Sequence, residues 1–269
     1  MPSPLVMGIV NVTPDSFSDG GRHLAPDAAL AHARKLIAEG ADILDIGGES
    51  TRPGAAPVPE AEEMARVIPL ITAIRAESAL PISIDTLKPA VARAAVAAGA
   101  MMWNDVTALR GGPDAAAVAA ELGCPVVLMH MLGEPGTMQN APRYDDVAGE
   151  VEAFLLARAE VAMTAGVARE KIWFDPGIGF GKTLEHNLAL LRALSRFVSL
   201  GFPLLLGASR KRFIAAIDPG ATHAADRLGG SLAVALEGGR AGVAAVRVHD
   251  VRETVQALKV QTAIVGRGR

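Results

Sequence analysis

LVMGIVNV (5–12) is a short apolar run that contains no charged residue and carries one polar side chain, Asn11, near its end. An Ala- and Leu-rich stretch with helical spacing follows it, near residues 26–39. A short run of this kind predicts a strand buried on both faces, and the longer stretch predicts a helix that covers it.

The same pattern recurs along the chain. Seven further runs predict strands: ADILDIG (41–47), PISID (81–85), MMWND (101–105), PVVLMH (125–130), KIWFD (171–175), PLLLGAS (203–209) and VAAVRVH (243–249). Further helices are predicted near 60–78, 88–98, 113–122, 146–165, 184–195, 225–238 and 250–263. Eight strands alternating with eight helices in 269 residues predict an α/β fold of the (β/α)8 TIM-barrel type. The alternative is an open doubly wound sheet, but its dinucleotide-binding fingerprint is missing.

No linker, low-complexity tract or charge block divides the sequence. Residues 1–269 are therefore predicted to form one barrel domain. Two Gly- and Pro-rich stretches, at 11–22 and 47–59, follow the first two predicted strands directly. We expect them to form long, mobile loops at the end of the barrel where active sites are built.

The composition excludes several classes of protein. The 26 Lys and Arg residues against 29 Asp and Glu residues give a net charge of −3, whereas nucleic-acid binders carry a basic patch. The single cysteine, Cys124, excludes a disulfide framework and a Cys-rich zinc site. The uncharged run at 1–14 is too short to span a membrane and lacks the basic start of a signal peptide. We therefore expect a soluble, cytoplasmic protein without nucleic-acid or membrane partners.

Polar side chains lie at or just beyond the ends of all eight predicted strands. They are Asn11, Asp45, Asp85, Asn104, Asp105, His130, Asp175, Ser209, Lys211, Arg247 and His249. A single strand-end aspartate is explained equally well as the N-cap of the next helix. Polar residues at every strand end are better explained by one convergent site at the barrel mouth. Whether Asp45 and Asp105 touch a substrate or only cap and brace the site is left open by the sequence.

The residue types narrow the chemistry of that site. Lys211, Arg247, His249 and Arg52 supply positive charge that suits an anion such as phosphate. The two neighbours of Lys211, Arg210 and Arg212, are interpreted as solvated flanking residues.

The acidic and amide residues favour a different ligand group. Asp85, Asn104 and Asp175 can meet a flat, aminated heterocycle, because one carboxylate accepts two parallel N–H bonds. Asn11 is a candidate Mg²⁺ ligand, since Mg²⁺ commonly uses few protein oxygens together with substrate oxygens.

Eight motifs resemble the dihydropteroate synthase family over nearly the full chain and in the family's order. They are NVTPDSFSDGG (11–21), DIGGESTRPGA (45–55), SIDT (83–86), ND (104–105), MHMLGEPGTMQ (129–139), DPGIGFGKT (175–183), GASRKRF (207–213) and RVHD (247–250). The resemblance implies a (β/α)8 barrel that forms a homodimer. It also implies a transferase of folate biosynthesis, which joins 6-hydroxymethyl-7,8-dihydropterin diphosphate to p-aminobenzoate and releases pyrophosphate.

The resemblance also assigns expected roles to residues. The pterin's polar edges would be bound by Asp85, Asn104, Asp175 and Lys211. The diphosphate would lie against Arg247, His249 and Asn11, with Mg²⁺ held by Asn11. The p-aminobenzoate and anion sites would be formed by Thr51, Arg52, Ser209 and Lys211, with Phe17, Pro53 and Phe180 around the aromatic ring. Catalysis is expected to depend on Lys211, Arg247, Asp85 and Arg52.

We expect a dissociative displacement. The CH₂ group on an electron-rich reduced pterin can bear positive charge once the diphosphate is neutralised. No protein nucleophile is then required.

Three alternatives remain at this point. A pterin-binding methyltransferase domain shares the barrel and the Asp and Asn contacts, but does not need STRPG (50–54) or SRK (209–211). A non-catalytic pterin-binding paralogue would not need the intact diphosphate and loop motifs. A Schiff-base aldolase that uses the mouth lysine explains neither Arg247 with His249 nor the two loops.

Overall fold

The computed structural model describes residues 3–12, 25–50, 56–133, 138–139 and 141–266. Its strands are β1 (Leu5–Asn11), β2 (Ile43–Gly47), β3 (Ile82–Asp85), β4 (Met102–Asp105), β5 (Val126–Met129), β6 (Ile172–Asp175), β7 (Leu205–Leu206) and β8 (Ala245–Val248). Its α-helices are α1 (Ala25–Ala38), α2 (Glu60–Glu77), α3 (Pro89–Ala97), α4 (Ala115–Leu122), α5 (Val147–Thr164), α6 (Leu184–Arg192), α7 (Leu194–Val198), α8 (Arg212–Ile217), α9 (Leu228–Ala241) and α10 (Val251–Ile264).

The eight strands are parallel and form one sheet in the order β6-β5-β4-β3-β2-β1-β8-β7. A parallel bridge between Phe174 of β6 and Leu204, just before β7, joins the two edges and closes the sheet. Helices follow the strands and cover the outside. The predicted (β/α)8 barrel is confirmed.

The strands are buried on both faces because successive side chains point alternately into the barrel and toward the helices. Outward side chains such as Leu44, Ile84 and Phe174 belong to the large core under the helices. The inward side chains form a separate apolar layer made of Met7, Ile43, Met102, Val127, Leu205 and Ala245, with Trp173 packed against it. This layer fills the centre of the barrel and leaves the site at its mouth.

The predicted strand positions are confirmed to within a few residues, with two differences. β7 covers only Leu205–Leu206 instead of the predicted 203–209. The sequence pattern also missed two short helices, α7 and α8, because five or six residues carry too little periodicity to detect. Within the described residues, no helix combines the length and the apolar character needed to cross a membrane.

Candidate active site

A layer of polar side chains lies at the carboxyl-terminal mouth of the barrel. It contains Asp45, Asp85, Asn104, Asp175 and Arg247. Asp45, Asn104, Asp175 and Arg247 each stand two residues beyond a member of the inner apolar layer, so they point inward as well. The structure thus brings together five of the residues that the sequence predicted for one site.

The Arg247 guanidinium is held between two carboxylates. Its Nε donates to Asp45 Oδ2 at 2.5 Å, and its Nη2 donates to Asp85 Oδ2 at 2.6 Å. Asp45 is fully buried and also accepts from Asn104 Nδ2 at 3.3 Å. Asp45 therefore orients Arg247 and Asn104, a bracing role that the sequence left open.

Burial controls the ionisation of these groups. It raises the pKa of Asp85 to about 7, although the Arg247 cation acts in the opposite direction. Burial also raises the pKa of Asp175, again opposed by a cation, Lys211. Burial acts to lower the pKa of Arg247, but the carboxylates of Asp45 and Asp85 outweigh it and raise that pKa. Arg247 is a permanent cation, whereas Asp85 titrates near neutral pH.

Lys211 reaches the mouth from the turn after β7. Its Nζ donates to the carbonyl of Ile178 and lies 4.5 Å from the centre of the Phe180 ring. Burial lowers the pKa of Lys211 to about 8, although Asp175 acts to raise it. This poorly hydrated ammonium group interacts strongly with any anion or carbonyl that enters the site.

The loop that follows β6, at 176–183, is held by side chains from several elements. Four successive carbonyls each accept a hydrogen bond: Ile178 from Lys211, Gly179 from Gln139 (2.6 Å), Phe180 from Lys182 (2.9 Å) and Gly181 from Tyr144 (2.9 Å). At Gly177, where φ is +70°, a Cβ would lie 1.9 Å from the His130 carbonyl oxygen, so only glycine fits. Gly177 N donates to Asp175 Oδ1 at 2.7 Å, which connects this loop to the site.

A buried lysine–histidine pair lies behind this loop. Lys182 is 3% exposed, and its Nζ lies 2.9 Å from His130 Nδ1. Burial lowers the pKa of Lys182 to about 7, and burial together with Lys182 lowers the pKa of His130 to about 3. Sequence reasoning placed His130 at a strand end but missed Lys182, because the partners stand 52 residues apart.

Ser209 and His249 meet at the opposite side of the mouth. Ser209 Oγ accepts from the His249 main-chain N at 3.2 Å and lies 3.0 Å from its Nδ1. Two of the strand-end residues that the sequence predicted at the mouth are therefore in contact with each other.

Asn11 ends β1 and is half-buried. Alternation from Met7 of the apolar layer points its side chain into the barrel. In the part of the chain that the structure describes, no cluster of three His, Cys, Asp or Glu side chains could hold a metal ion. Asn11 supplies one inward amide oxygen, a ligand type that Mg²⁺ accepts.

Two glycines leave room in the polar layer. A Cβ on Gly47 would stand 3.5 Å from Asp85 Cβ, and a Cβ on Gly207 would stand 3.5 Å from Asp175 Oδ2. One side of the mouth is apolar, where Val106, Met129, Met131 and Met138 cluster with Leu87 and Phe180.

The structure decides the role of Asp105, which the sequence left open, and corrects the interpretation of Arg210. Asp105 follows the inward Asn104 and so points away from the mouth, where its carboxylate accepts from Thr107 N at 2.8 Å and from Leu109 N at 2.7 Å. Asp105 shapes the turn after β4 and does not converge on the site. Arg210 is not a solvated flank, because it forms an ion pair with Asp250; Arg212 is exposed as predicted.

Four residues of the predicted site, Phe17, Thr51, Arg52 and Pro53, lie outside the described residues. Residues 13–22 of the first predicted loop and 51–55 of the second lie there as well. Their proposed roles stay predictions.

Comparison with known proteins decides the family. Residues 7–249 match the pterin binding enzyme family. Dihydropteroate synthase from Escherichia coli is 49% identical over 260 residues, which cover 97% of this chain and 91% of that protein. The chain belongs to the dihydropteroate synthase family.

Solved dihydropteroate synthase structures share the fold. A Xanthomonas albilineans dihydropteroate synthase with 4-aminobenzoic acid is 52% identical, with a TM-score of 0.92 over 99% of this chain and 95% of that one. A dihydropteroate synthase from Xanthomonas albilineans in complex with 7,8-dihydropteroate gives a TM-score of 0.89 at 50% identity, over 98% of this chain and 94% of that one.

Proposed function

We propose that this chain catalyses the dihydropteroate synthase reaction. It joins the CH₂ carbon of 6-hydroxymethyl-7,8-dihydropterin diphosphate to the amine nitrogen of p-aminobenzoate and releases pyrophosphate. Family membership makes the chain a transferase of folate biosynthesis. The inward polar layer around Arg247, with glycine-lined space beside it, is the observation that carries this proposal.

The pterin is proposed to bind by its polar edges inside the mouth. Asp85 and Asp175 accept from the ring N–H groups and the exocyclic amine, and Asn104 can donate as well as accept. Lys211 donates to the ring carbonyl. Arg247 and the cluster around Met129 flank the ring, which combines a cation with soft apolar contact.

The diphosphate is proposed to lie toward Arg247, His249 and Asn11. Arg247 is a permanent cation, and its position is fixed before any ligand binds. Prepositioned charge of this kind stabilises a leaving group without reorganisation, and one well-aimed donor is worth about 3 kcal/mol. The C–O bond breaks as the diphosphate leaves with the electron pair.

The displacement is proposed to be dissociative. Positive charge that develops on the CH₂ group is shared with the reduced pterin ring and faces the carboxylates of Asp85 and Asp175. The amine then forms the C–N bond and loses its proton. No protein nucleophile takes part, and Phe180 helps to hold the p-aminobenzoate ring.

We propose Mg²⁺ as the metal, held by the Asn11 amide oxygen and the diphosphate oxygens. This fits the inward position of Asn11 at the end of β1, since Mg²⁺ commonly uses few protein oxygens together with substrate oxygens. When bound, the ion neutralises charge on the leaving diphosphate. A homodimer and a cytoplasmic location stay predictions.

An assay of the purified chain tests the reaction. Incubation with the pterin diphosphate, p-aminobenzoate and Mg²⁺ should give equal amounts of 7,8-dihydropteroate and pyrophosphate, and EDTA should suppress both. The Asp175→Asn variant is the matched control for the contribution of the Asp175 carboxylate, because asparagine preserves the shape of the side chain while removing its charge.

Tight pterin binding without product would contradict the proposal. It would favour the pterin-binding methyltransferase domain or the non-catalytic paralogue instead.

A further inference from the structure

The turn between Ser209 and Lys211 contains a residue in an unusual backbone conformation. Arg210 has φ +58°, in the left-handed region that residues with a Cβ rarely adopt. Such strain persists only where the surroundings enforce it, and it is concentrated at functional sites. Both neighbours of Arg210 are proposed substrate contacts.

The main chain of Arg210 is fixed by α9 and the turn before it. Its N donates to Ser231 Oγ at 2.9 Å, and its carbonyl accepts from Arg227 Nη1 at 2.9 Å. Ser231 Oγ in turn donates to the Arg227 carbonyl at 2.7 Å. These bonds connect the strained residue to the outer shell of the barrel.

The side chain of Arg210 binds Asp250, in the segment that follows β8. Its Nε donates to Asp250 Oδ2 at 2.9 Å, and its Nη2 donates to Asp250 Oδ1. This paired geometry fixes the relative orientation of the two side chains better than a single contact would. We call this pair of hydrogen bonds between Arg210 and Asp250 the fork. Asp250 follows His249 directly and precedes α10, so the fork connects the end of β7 to the end of β8.

We propose that Arg210 and Asp250 are positioning residues for the anion end of the site. The fork, together with the fixed main chain of Arg210, holds Ser209 and Lys211 at a set distance from His249. The observed bond between Ser209 Oγ and His249 Nδ1, at 3.0 Å, lies between the two elements that the fork connects. The proposal rests on the proposed function, and neither residue of the fork touches substrate.

The size of the expected effect follows from geometry. A displacement of about 1 Å in a catalytic group can cost about 100-fold in rate. Loss of the fork releases the Ser209 turn from the His249 segment, so kcat falls, whereas the pterin contacts of Asp85, Asn104 and Asp175 are left in place. The KM for p-aminobenzoate and the affinity for pyrophosphate should change more than pterin binding.

The test uses Arg210→Gln, Asp250→Asn and the double variant in the full chain. Each single variant should lower kcat at least tenfold, and the double variant should be no worse than either one. Melting temperatures should fall by only a few degrees. Arg34→Gln is the matched control, since Arg34 forms a similar fork with Glu77 on the exposed surface, and its kcat should not change.

A second pair of variants separates the effect of backbone strain at Arg210 from the effect of losing the fork. Arg210→Ala and Arg210→Gly both lose the fork, but only glycine adopts a positive φ freely. Arg210→Gly should therefore melt at a higher temperature than Arg210→Ala while both lose the same activity. Wild-type kcat in Arg210→Gly would overturn the proposal, as would an Arg210→Gln variant whose activity loss simply follows its loss of folded protein.

Binding of pyrophosphate, measured by calorimetry, keeps this test separate from the proposed reaction. A wild-type chain that forms no dihydropteroate would refute the proposed function alone. Weaker pyrophosphate binding in Arg210→Gln and Asp250→Asn, but not in Arg34→Gln, would still support the positioning role. Unchanged pyrophosphate binding in both fork variants would refute it.

Discussion

Arg247 Nη2 donates a 2.6 Å hydrogen bond to Asp85 Oδ2 at the centre of the barrel mouth. Burial nonetheless raises the pKa of Asp85 to about 7. The pair is therefore a permanent cation beside a carboxyl group that titrates near neutral pH. The pH dependence of kcat/KM should therefore report the ionisation of groups at the mouth.

We expect a bell-shaped pH profile for kcat/KM with the pterin diphosphate. The rising limb, near pH 7, reports deprotonation of Asp85, because the carboxylate accepts with both oxygens from the pterin N–H groups, whereas in the acid form one oxygen becomes a donor. The falling limb, near pH 8, reports the loss of the Lys211 cation. Initial rates measured between pH 5 and 10 check both limbs.

Two variants assign these limbs. Asp85→Asn should lower activity and remove the acid limb, and Lys211→Arg should remove the basic limb because arginine stays charged. An acid limb that persists unchanged in Asp85→Asn would show that another group controls it.

Asp45→Asn should destabilise the fold as well as the site. Asp45 is fully buried against Arg247, so the variant leaves a largely buried cation with one counterion fewer. The free energy of unfolding should fall by about 3 kcal/mol, and urea denaturation measures this.

Asp42→Asn provides the comparison for Asp45→Asn. Asp42 is exposed at the other end of the same strand region and accepts from Val6 N at 2.8 Å, a bond that an amide oxygen can retain. Its unfolding free energy should change by less than about 1 kcal/mol. Equal losses in both variants would argue against the bracing role of Asp45.

Gly207→Val should block the pterin while the fold persists. An added side chain projects from position 207 toward Asp175 Oδ2 and the Arg247 side chain, into the space assigned to the ring. Pterin affinity should fall at least tenfold in equilibrium binding. The smaller Gly207→Ala change meets its neighbours at 3.5 Å or more, so it should weaken binding less. Full pterin affinity in Gly207→Val would place the ring elsewhere.

Lys182→Met should change how stability depends on pH. In the folded wild type the pKa of Lys182 is lowered to about 7, so between pH 7 and about 10 the unfolded chain binds more protons and stability rises with pH. This rise should be smaller in Lys182→Met. Denaturation at several pH values checks it.

Lys182→Met should also raise the KM for p-aminobenzoate, since it frees the carbonyl of Phe180. The exposed Lys259→Met serves as the control and should behave like wild type in both measurements. If the free energy of unfolding depends on pH equally in wild type, Lys182→Met and Lys259→Met, then burial does not lower the pKa of Lys182 in the folded chain.

The barrel and the polar mouth could be predicted because both follow from short patterns. Alternation within each strand places Asp45, Asn104, Asp175 and Arg247 two residues beyond inward apolar side chains. The same alternation indicates that Asp105, next to the inward Asn104, points outward.

Other features depend on residues far apart in the sequence. Asp45 and Arg247 stand 202 residues apart in the sequence. The bracing role of Asp45 can therefore be recognised only from the three-dimensional structure. The lysine–histidine pair behind the loop after β6 has no local pattern either. The positive φ of Arg210 is imposed by Ser231, Arg227 and Asp250, and nothing in SRK itself indicates it.

The most direct measurement is equilibrium binding of the pterin diphosphate to wild type, Asn104→Leu, Asp175→Asn and the control Arg34→Gln. Wild type and Arg34→Gln should bind equally, while the two mouth variants should bind at least tenfold more weakly and keep their fold. Unchanged binding in both mouth variants would show that the pterin does not sit in the inward polar layer of the barrel.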